Sequence, residues 1–252
     1  MLTKLARIGA TALAVAGLGA AAPALAQQKG GALNVATIGE PNTLDPMVAA
    51  GDLLGMITQH FYETLYTFDK NWALTPLLAE TLPQISDGGK VYTIPLRQGV
   101  TFHNGKAMTA QDVVASLKRW TELASRGKLV AGNIASIEAP DDKSVKITLK
   151  APFAPLTALL AFNNSAAVIM PADKMENPIK DVIGTGPYQL KERKPDQYIQ
   201  LTASTATSSV RASPTASAAP ASSISTRSAS YRCPTPTPAS RARSPASSTS
   251  PT

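Results

Sequence analysis

The sequence predicts an α+β fold with mixed sheets, followed by a disordered C-terminal tail. Residues 87–120 alternate turns and short strand patterns and end in one capped helix. Residues 134–149 contain two alternating apolar segments on either side of a turn, which is typical of a hairpin. From residue 203 the composition changes abruptly to small polar residues, proline and arginine. The folded part should therefore end near residue 202.

Residues 87–105 predict a turn, a strand, a second short strand and a second turn. Asp87-Gly88-Gly89 favours a tight reversal, because glycine adopts the required dihedral angles. The alternating segment 92–96 predicts a half-buried strand. Pro95 has no N–H to donate, so we expect this strand at a sheet edge, or Pro95 facing away from its partner. Val100 and Phe102 predict the second strand, before the turn at Asn104-Gly105.

A helix should begin after Thr109. Thr109 and Asp112 have the spacing of a capping box. Val113, Leu117 and Trp120 then follow at helical intervals and define one apolar face. Lys118 and Arg119 should lie off that face.

The segment before residue 87 predicts a strand, a loop and a helix. Residues 33–37 alternate as a strand, and the prolines in 40–46 should keep that segment out of a helix, with Asp45 capping its own backbone. A helix should begin at Asp52 and continue through Leu65, with His60 as a partly exposed helix residue. Tyr62 and Tyr66 should be aromatic residues at the edge of the core.

The segment after the hairpin predicts a short helix, a strand and a turn. We expect an apolar helix over 153–162, a buried strand over 166–170 and a turn at 184–187 leading into a strand. Asn163 and Asn164 lie between helix and strand, either as helix C-cap residues or as polar groups offered to a ligand.

Charge and rare residues exclude several kinds of site. The net charge of +7 comes from residues 1–26 (+2) and 203–252 (+5), so the body is neutral and offers no basic patch for nucleic acid. Cys233 is the single cysteine, which excludes an internal disulfide. Two histidines are too few for a metal site, and no catalytic constellation is identifiable. We therefore expect no enzyme activity, no metal and no cofactor.

Residues 1–26 are typical of a cleaved signal peptide. Lys4 and Arg7 precede a short apolar, small-residue segment that ends in Ala24-Leu25-Ala26. No cysteine follows for lipid attachment. This pattern predicts export to the periplasm.

Several motifs occur together in one order. They are Glu40-Pro41 with Leu44-Asp45-Pro46, Tyr62-Glu63-Thr64-Leu65, Leu96-Arg97, Phe102-His103-Asn104-Gly105, Thr109 to Val114, and Gly184-Thr185-Gly186-Pro187-Tyr188. In this order they resemble the bacterial extracellular solute-binding proteins of family 5, which serve ABC importers of peptides, oligopeptides and nickel. The resemblance covers residues 30–202, the first part of a longer family chain.

The resemblance implies a fragment of a two-lobed periplasmic binding protein of type II. Residues 27–46 and 181–202 would be parts of lobe I, and 47–180 a small inserted domain. A peptide-like solute would lie between the lobes, and the closed form, a monomer, would dock on the inner-membrane permease. The expected solute contacts are Glu40, Pro41, Asn42, Thr43, Leu44, Asp45, Asn163 and Asn164. Without the second lobe, this chain should bind no solute tightly.

The tail has two interpretations. Of its 50 residues, 41 are Ser, Ala, Thr or Pro, so it cannot bury enough apolar surface to fold. It could be a Ser/Thr/Pro-rich stalk, which would make the chain a secreted structural protein with a globular head. We favour translation out of frame: the codons CGC-TTC-GAC-GGC-TAC, shifted by one base, give Ala-Ser-Thr-Ala, as at 203–206.

Overall fold

The computed structural model describes residues 31–204 and 227–232. The predicted signal peptide, residues 1–26, lies outside these ranges, as do residues 205–226 and 233–252 of the tail. The strands are β1 (Gly31–Ala36), β2 (Tyr66–Phe68), β3 (Leu74–Pro76), β4 (Gln84–Ser86), β5 (Val91–Pro95), β6 (Ile134–Asp141), β7 (Ser144–Leu149), β8 (Tyr188–Lys194), β9 (Tyr198–Ala203) and β10 (Arg227–Arg232). The helices are α1 (Asp52–Thr58), α2 (Ala110–Leu123), α3 (Ser125–Ala131) and α4 (Leu156–Leu159), with 3₁₀ turns at Asp87–Gly89 and Ala172–Lys174.

One antiparallel sheet has the strand order β4-β5-β7-β6. Buried and half-buried residues alternate along β5 and β7, as the period of two predicts, and the buried residues join one apolar core. The hairpin of β6 and β7 is confirmed. β5 lies between β4 and β7, so the expectation of an edge strand is wrong. Pro95 is the last residue of β5 and lies beyond the residues paired with β4, where its missing N–H costs little.

Helix α2 packs its apolar face against this core. The capping box is confirmed: Asp112 N donates to Thr109 Oγ1 (3.2 Å), and Thr109 N donates to the Asp112 carboxylate (3.0 Å). Trp120 is buried and its indole N–H donates to the Ser165 carbonyl (2.9 Å). Arg119 is also buried, which corrects the expectation that it lies off the packed face.

A second sheet has the order β1-β10-β9-β8. β10 runs parallel to β1 and antiparallel to β9, and β8 and β9 form a hairpin. The tail was expected to be disordered throughout; its residues 227–232 instead form β10, because two neighbouring strands provide main-chain partners. Strands β2 and β3 form a separate two-stranded ribbon.

Residues 60–65 are called the central segment. Their main chain forms hydrogen bonds with segments that are distant in sequence. The carbonyls of His60 and Phe61 accept from Tyr188 N (3.0 Å) and Gly186 N (3.1 Å). On the other side of the segment, the Glu63 carbonyl accepts from Ile169 N (2.9 Å). The central segment is therefore sandwiched between the chain that returns to β8 and the chain that follows α4.

Two glycines allow this close approach. A Cβ at Gly184 would lie 1.9 Å from the Phe61 carbonyl oxygen, and one at Gly186 would lie 2.6 Å from that of His60. His103 bonds to both of these glycines. Its Nδ1 accepts from Gly184 N (3.3 Å), so Nε2 carries the proton and donates to the Gly186 carbonyl (2.9 Å). Burial lowers the pKa of His103, consistent with a neutral ring.

The central segment also explains an error in the sequence analysis. The helix expected to reach Leu65 ends at Thr58, because the carbonyls in 60–65 accept hydrogen bonds from distant segments instead of from a following helical turn. His60 is accordingly not a helix residue. Tyr62 and Tyr66 are fully buried instead of lying at the core edge.

Three other elements are shorter than expected. The second strand near Val100 is a single bridge between Thr101 and Ala107, and the strand expected over 166–170 is a single bridge between Thr64 and Val168. The helix expected over 153–162 is reduced to α4. The apolar side chains of these segments are nevertheless buried, so the hydrophobic pattern predicted burial correctly but not strand pairing. No helix in the described ranges is long and apolar enough to cross a membrane.

We predict that Gly184→Ala destabilises the fold severely. The added methyl group would overlap a main-chain oxygen that two segments hold in place, which should lower the free energy of unfolding by about 3 kcal/mol or more. Urea denaturation measures this change. Gly132→Ala is the control, because a Cβ there meets nothing within 4 Å. Equal stability of the two variants would contradict the proposed backbone constraint.

Candidate ligand-binding site

The loop of expected solute contacts begins with a fixed glutamate. Arg193 Nε donates to Glu40 Oε1 (2.7 Å), and Asp196 N donates to Glu40 Oε2 (2.6 Å). Arg193 also donates from its terminal nitrogen to the Pro41 carbonyl (2.7 Å). Glu40 and Pro41 thereby attach the loop to the hairpin of β8 and β9.

The loop ends in a buried ion pair. Asp45 and Arg119 have side chains only 2% and 8% exposed, and the guanidinium donates from both terminal nitrogens to the two carboxylate oxygens. Asp45 also caps its own backbone as expected, since Met47 N donates to Oδ1 (3.0 Å). Thr43 Oγ1 accepts from Asp45 N (3.1 Å), and Leu44 is buried. The carboxylate of Asp45 is thus used by the fold.

Asn163 and Asn164 form a turn against α1. Arg126 donates to Asn164 Oδ1 from Nε (3.1 Å) and from a terminal nitrogen (2.9 Å). Asn164 Nδ2 in turn donates to the carboxylate of Asp52, at the start of α1 (3.0 Å). α4 ends at Leu159, so neither asparagine caps that helix, and the interpretation as C-cap residues is wrong.

Two of the eight expected contacts retain unoccupied polar groups. Asn42 and Asn163 are exposed, and within the described residues their side-chain amides have no hydrogen-bond partner. The turn at 163–164 is hydrogen-bonded to the start of α1. The loop at 40–45 precedes α1 in the chain by a short connection. Glu40, Asp45 and Asn164 hold these two segments, and the two exposed amides have no partner within the described residues.

A group of buried polar atoms lies near the central segment. Tyr62 Oη, Glu63 Oε2, Tyr66 Oη and Thr185 Oγ1 lack partners among the described residues. Burial raises the pKa of Glu63 to about 7, and the nearby Thr185 side chain and Arg97 charge only partly oppose this rise. Burial, with a smaller effect of the Asp45 charge, also raises the pKa of Tyr62. No nucleophile and base are paired among these four groups.

The sequence analysis missed Arg119, Arg126, Arg193 and Glu63. For Arg119 a signal existed: Asp112, Ser116 and Arg119 recur at i, i+4 and i+7, and all three are buried on one stripe of α2. The partners of the other residues are distant in sequence, so no local pattern could identify them. The described residues include no group of His, Cys, Asp and Glu able to hold a metal ion. An open groove of about 360 Å³ beside α2 is lined by Arg119, Met175 and neighbours, away from both asparagines.

We predict that Arg119→Met destabilises the protein by about 3–5 kcal/mol, because the buried Asp45 carboxylate would lose its counter-charge. Adding Asp45→Asn should recover part of that loss, as measured by urea denaturation of the single and double variants. Lys118→Met, at the exposed neighbouring position, is the control. The ion pair is not important for stability if Arg119→Met melts like Lys118→Met.

We predict that Glu63→Gln flattens the dependence of stability on pH. The folded chain keeps the Glu63 proton up to about pH 7, whereas the unfolded chain releases it near its ordinary pKa of 4.5. The free energy of unfolding of the parent protein should therefore fall between these pH values, by up to about 3 kcal/mol, and level off above pH 7.

Urea denaturation from pH 4 to pH 8 measures this difference. Glu122→Gln, which removes an exposed carboxylate from α2, is the control. Parallel profiles for the parent and Glu63→Gln would show that folding does not raise the pKa of Glu63.

Comparison with known proteins identifies the family. The family described as "Bacterial extracellular solute-binding proteins, family 5 Middle" matches residues 73–206. Glutathione-binding protein GsiB of Escherichia coli K12 is 36% identical over 165 residues, covering 63% of this chain and 32% of GsiB. The Salmonella typhi GsiB is 37% identical over 196 residues, covering 75% and 37%. The chain therefore spans about a third of the length of these relatives.

Solved structures agree on the fold. AgaA of A. tumefaciens R10, in complex with agropinic acid, superposes with a TM-score of 0.66 at 28% identity, over 80% of this chain and 40% of AgaA. The periplasmic binding protein DppA of Helicobacter pylori, in complex with the peptide STSA, gives 0.67 at 25% identity, over 82% and 43%. The predicted fold class, a fragment of a periplasmic peptide-binding protein, is confirmed. This chain belongs to the family 5 bacterial extracellular solute-binding proteins.

Proposed function

We propose that this protein is the periplasmic substrate-binding component of an ABC importer for peptides or related small solutes. The match over residues 73–206 carries this proposal. Relatives are named for glutathione binding, and structural neighbours hold a tetrapeptide and a nonapeptide. Each of these solutes is peptide-like, which supports the same solute class here. The signal-like residues 1–26 support a periplasmic location, and the partner would be the inner-membrane permease.

The proposal assigns two roles to the expected contact residues. Asn42 and Asn163 would contact the solute, because their amides are exposed and unpaired within the described residues. An amide offers both donors and an acceptor, which suits the main chain and termini of a peptide. Glu40, Pro41, Thr43, Leu44, Asp45 and Asn164 would position the two segments through the bonds described above.

We further propose that the chain is truncated and that its tail is translated out of frame. The chain spans about a third of its relatives' length, which supports the proposal that it is truncated. In the proposed original frame, every codon begins one base earlier than in the sequence given. The first base of each codon in the given frame is therefore the middle base of a codon in the original frame. Tyrosine codons and TCN serine codons begin with T, and every codon with a middle T encodes an apolar residue.

The strand β10 supports this frame assignment. In the alternative frame, positions 228, 230 and 231 become apolar, provided the serine codons are TCN, whereas position 229 becomes small or polar. Apolar residues at three of these four positions are compatible with a largely buried strand, and β10 is a strand inside a sheet. The nucleotide sequence tests this proposal. A single frame that encodes a Ser/Thr/Pro-rich extension would instead support the secreted protein with a stalk.

We predict that the chain as written binds peptides weakly, whereas the product with the restored frame binds them tightly. Isothermal titration calorimetry with glutathione, di- to nonapeptides and agropinic acid should detect no submicromolar binding to the chain as written. The restored product should bind at least one peptide with a dissociation constant near or below 1 µM, about −8 kcal/mol. Submicromolar binding by the written chain would contradict the proposed truncation.

The restored product also tests the contact residues. Asn163→Ala should weaken binding at least tenfold without changing the melting temperature, because its amide makes no bond within the described fold. Asn71→Ala, an exposed asparagine in the turn between β2 and β3, is the matched control. A restored product that binds no peptide, dipeptide or sugar-acid conjugate would contradict the proposed function itself.

A further inference from the structure

The position between β1 and β9 is filled by a segment from a distant part of the chain. β1 comprises residues 31–36 and β9 residues 198–203, and among the described strands β10 is the ladder partner that connects them. Six residues of β10 pair with β1, and four pair with β9. Without β10, neither strand would have a main-chain partner on its facing edge within the described residues.

The spacing of strands shows why β1 and β9 cannot pair directly with each other. Neighbouring strands lie about 4.8 Å apart, so β1 and β9 are separated by about twice that distance. A hydrogen bond of about 2.9 Å cannot cross this gap. The gap is therefore one strand wide.

The gap is held open from outside β10. The loop that follows β1 is attached to the β8–β9 hairpin by Glu40, through Arg193 and Asp196. Val35 of β1 also packs against the core. On the other side, Ile199 and Leu201 fix β9 in the core, with 2% and 0% of their surface exposed. β9 also pairs with β8 along its other edge. Each wall of the gap therefore has contacts besides those with β10.

The composition of the occupant indicates how it is held. The tail that contains β10 has no Leu, Gly, Lys, Asp or Glu, and β10 itself reads Arg-Ser-Ala-Ser-Tyr-Arg. A strand that joins a sheet edge gains its affinity mainly from main-chain hydrogen bonds. A segment of small polar residues can therefore occupy the gap although it has no strong apolar pattern.

We propose that the gap between β1 and β9 is a strand-acceptor site. It binds one extended polypeptide segment of about six residues, parallel to β1 and antiparallel to β9, through main-chain hydrogen bonds. In this chain the occupant is its own segment 227–232. This inference is independent of the proposed solute transport, but it bears on it, because β1 leads directly into the loop that carries Glu40 to Asp45.

Hydrogen exchange of the full chain tests the site. Ala229→Pro combined with Ser230→Pro removes two consecutive N–H groups in the middle of β10, one directed to each neighbouring strand. Amide exchange in residues 31–36 should become at least tenfold faster. Ala221→Pro combined with Ser222→Pro is the matched control, since the same residue pair stands there outside β10, and exchange should stay as in the parent.

A synthetic peptide added to the variant protein provides a second test, because it can occupy the site in place of β10. A synthetic peptide of residues 225–232 should restore the protection of β1 in the Ala229→Pro/Ser230→Pro protein. A peptide of the same composition in scrambled order should also restore it, whereas one with proline at alternate positions should not. Rescue by the native order alone would overturn recognition through the main chain.

Three further outcomes decide the interpretation. Unchanged β1 exchange in the double-proline variant would overturn the proposal. If exchange also rises throughout α2 and β7, the double variant has lost its fold, and the milder Ala229→Pro variant is measured instead. Faster exchange confined to residues 31–36 in that variant would support the site, and its absence would overturn it. Protection of β1 that falls on dilution, together with a dimer by light scattering, would assign the occupant to a second copy and overturn the intramolecular assignment.

Discussion

The fold depends on the close main-chain packing of the central segment, residues 60–65. Its carbonyls accept hydrogen bonds from the chain returning to β8 on one side and from the chain after α4 on the other. Such packing requires positions without a Cβ, which Gly184 and Gly186 provide. His103 then bonds the same glycine segment, so the loop before α2 is joined to the crossing. One stretch of backbone thereby joins the start of β8, the segment after α4 and the loop before α2, and many buried side chains surround it.

Polar groups in the interior cost free energy unless they have partners, and the protein treats them in two ways. Asp45 and Arg119 form a hydrogen-bonded pair that joins the loop after β1 to α2, across more than seventy residues of sequence. Glu63 keeps one oxygen without a protein partner, and its carboxyl responds by holding its proton to a higher pH. The first arrangement gives specificity of position; the second makes the junction sensitive to pH near neutrality.

The chain spans about a third of its relatives, yet its described part is well packed. The sheet that contains β1 shows how this is achieved: a segment from an unusual tail supplies the strand between β1 and β9. Main-chain hydrogen bonding explains this tolerance, because it depends little on side-chain identity. The loop of candidate contacts is held at both ends, by the ion pairs of Glu40 and Asp45.

The amino-acid sequence by itself determined the capped helix α2, the hairpin of β6 and β7, the turn before β8, the burial of the apolar segments and the family. These features arise from local patterns: a capping box, alternation with period two, and motifs in a fixed order. Only the tertiary structure decided that residues 60–65 leave the helix, that Arg119 turns inward to Asp45, and that residues 227–232 become a strand. Each of these outcomes depends on partners distant in sequence, and local periodicity contains no information about which distant group will supply a hydrogen bond.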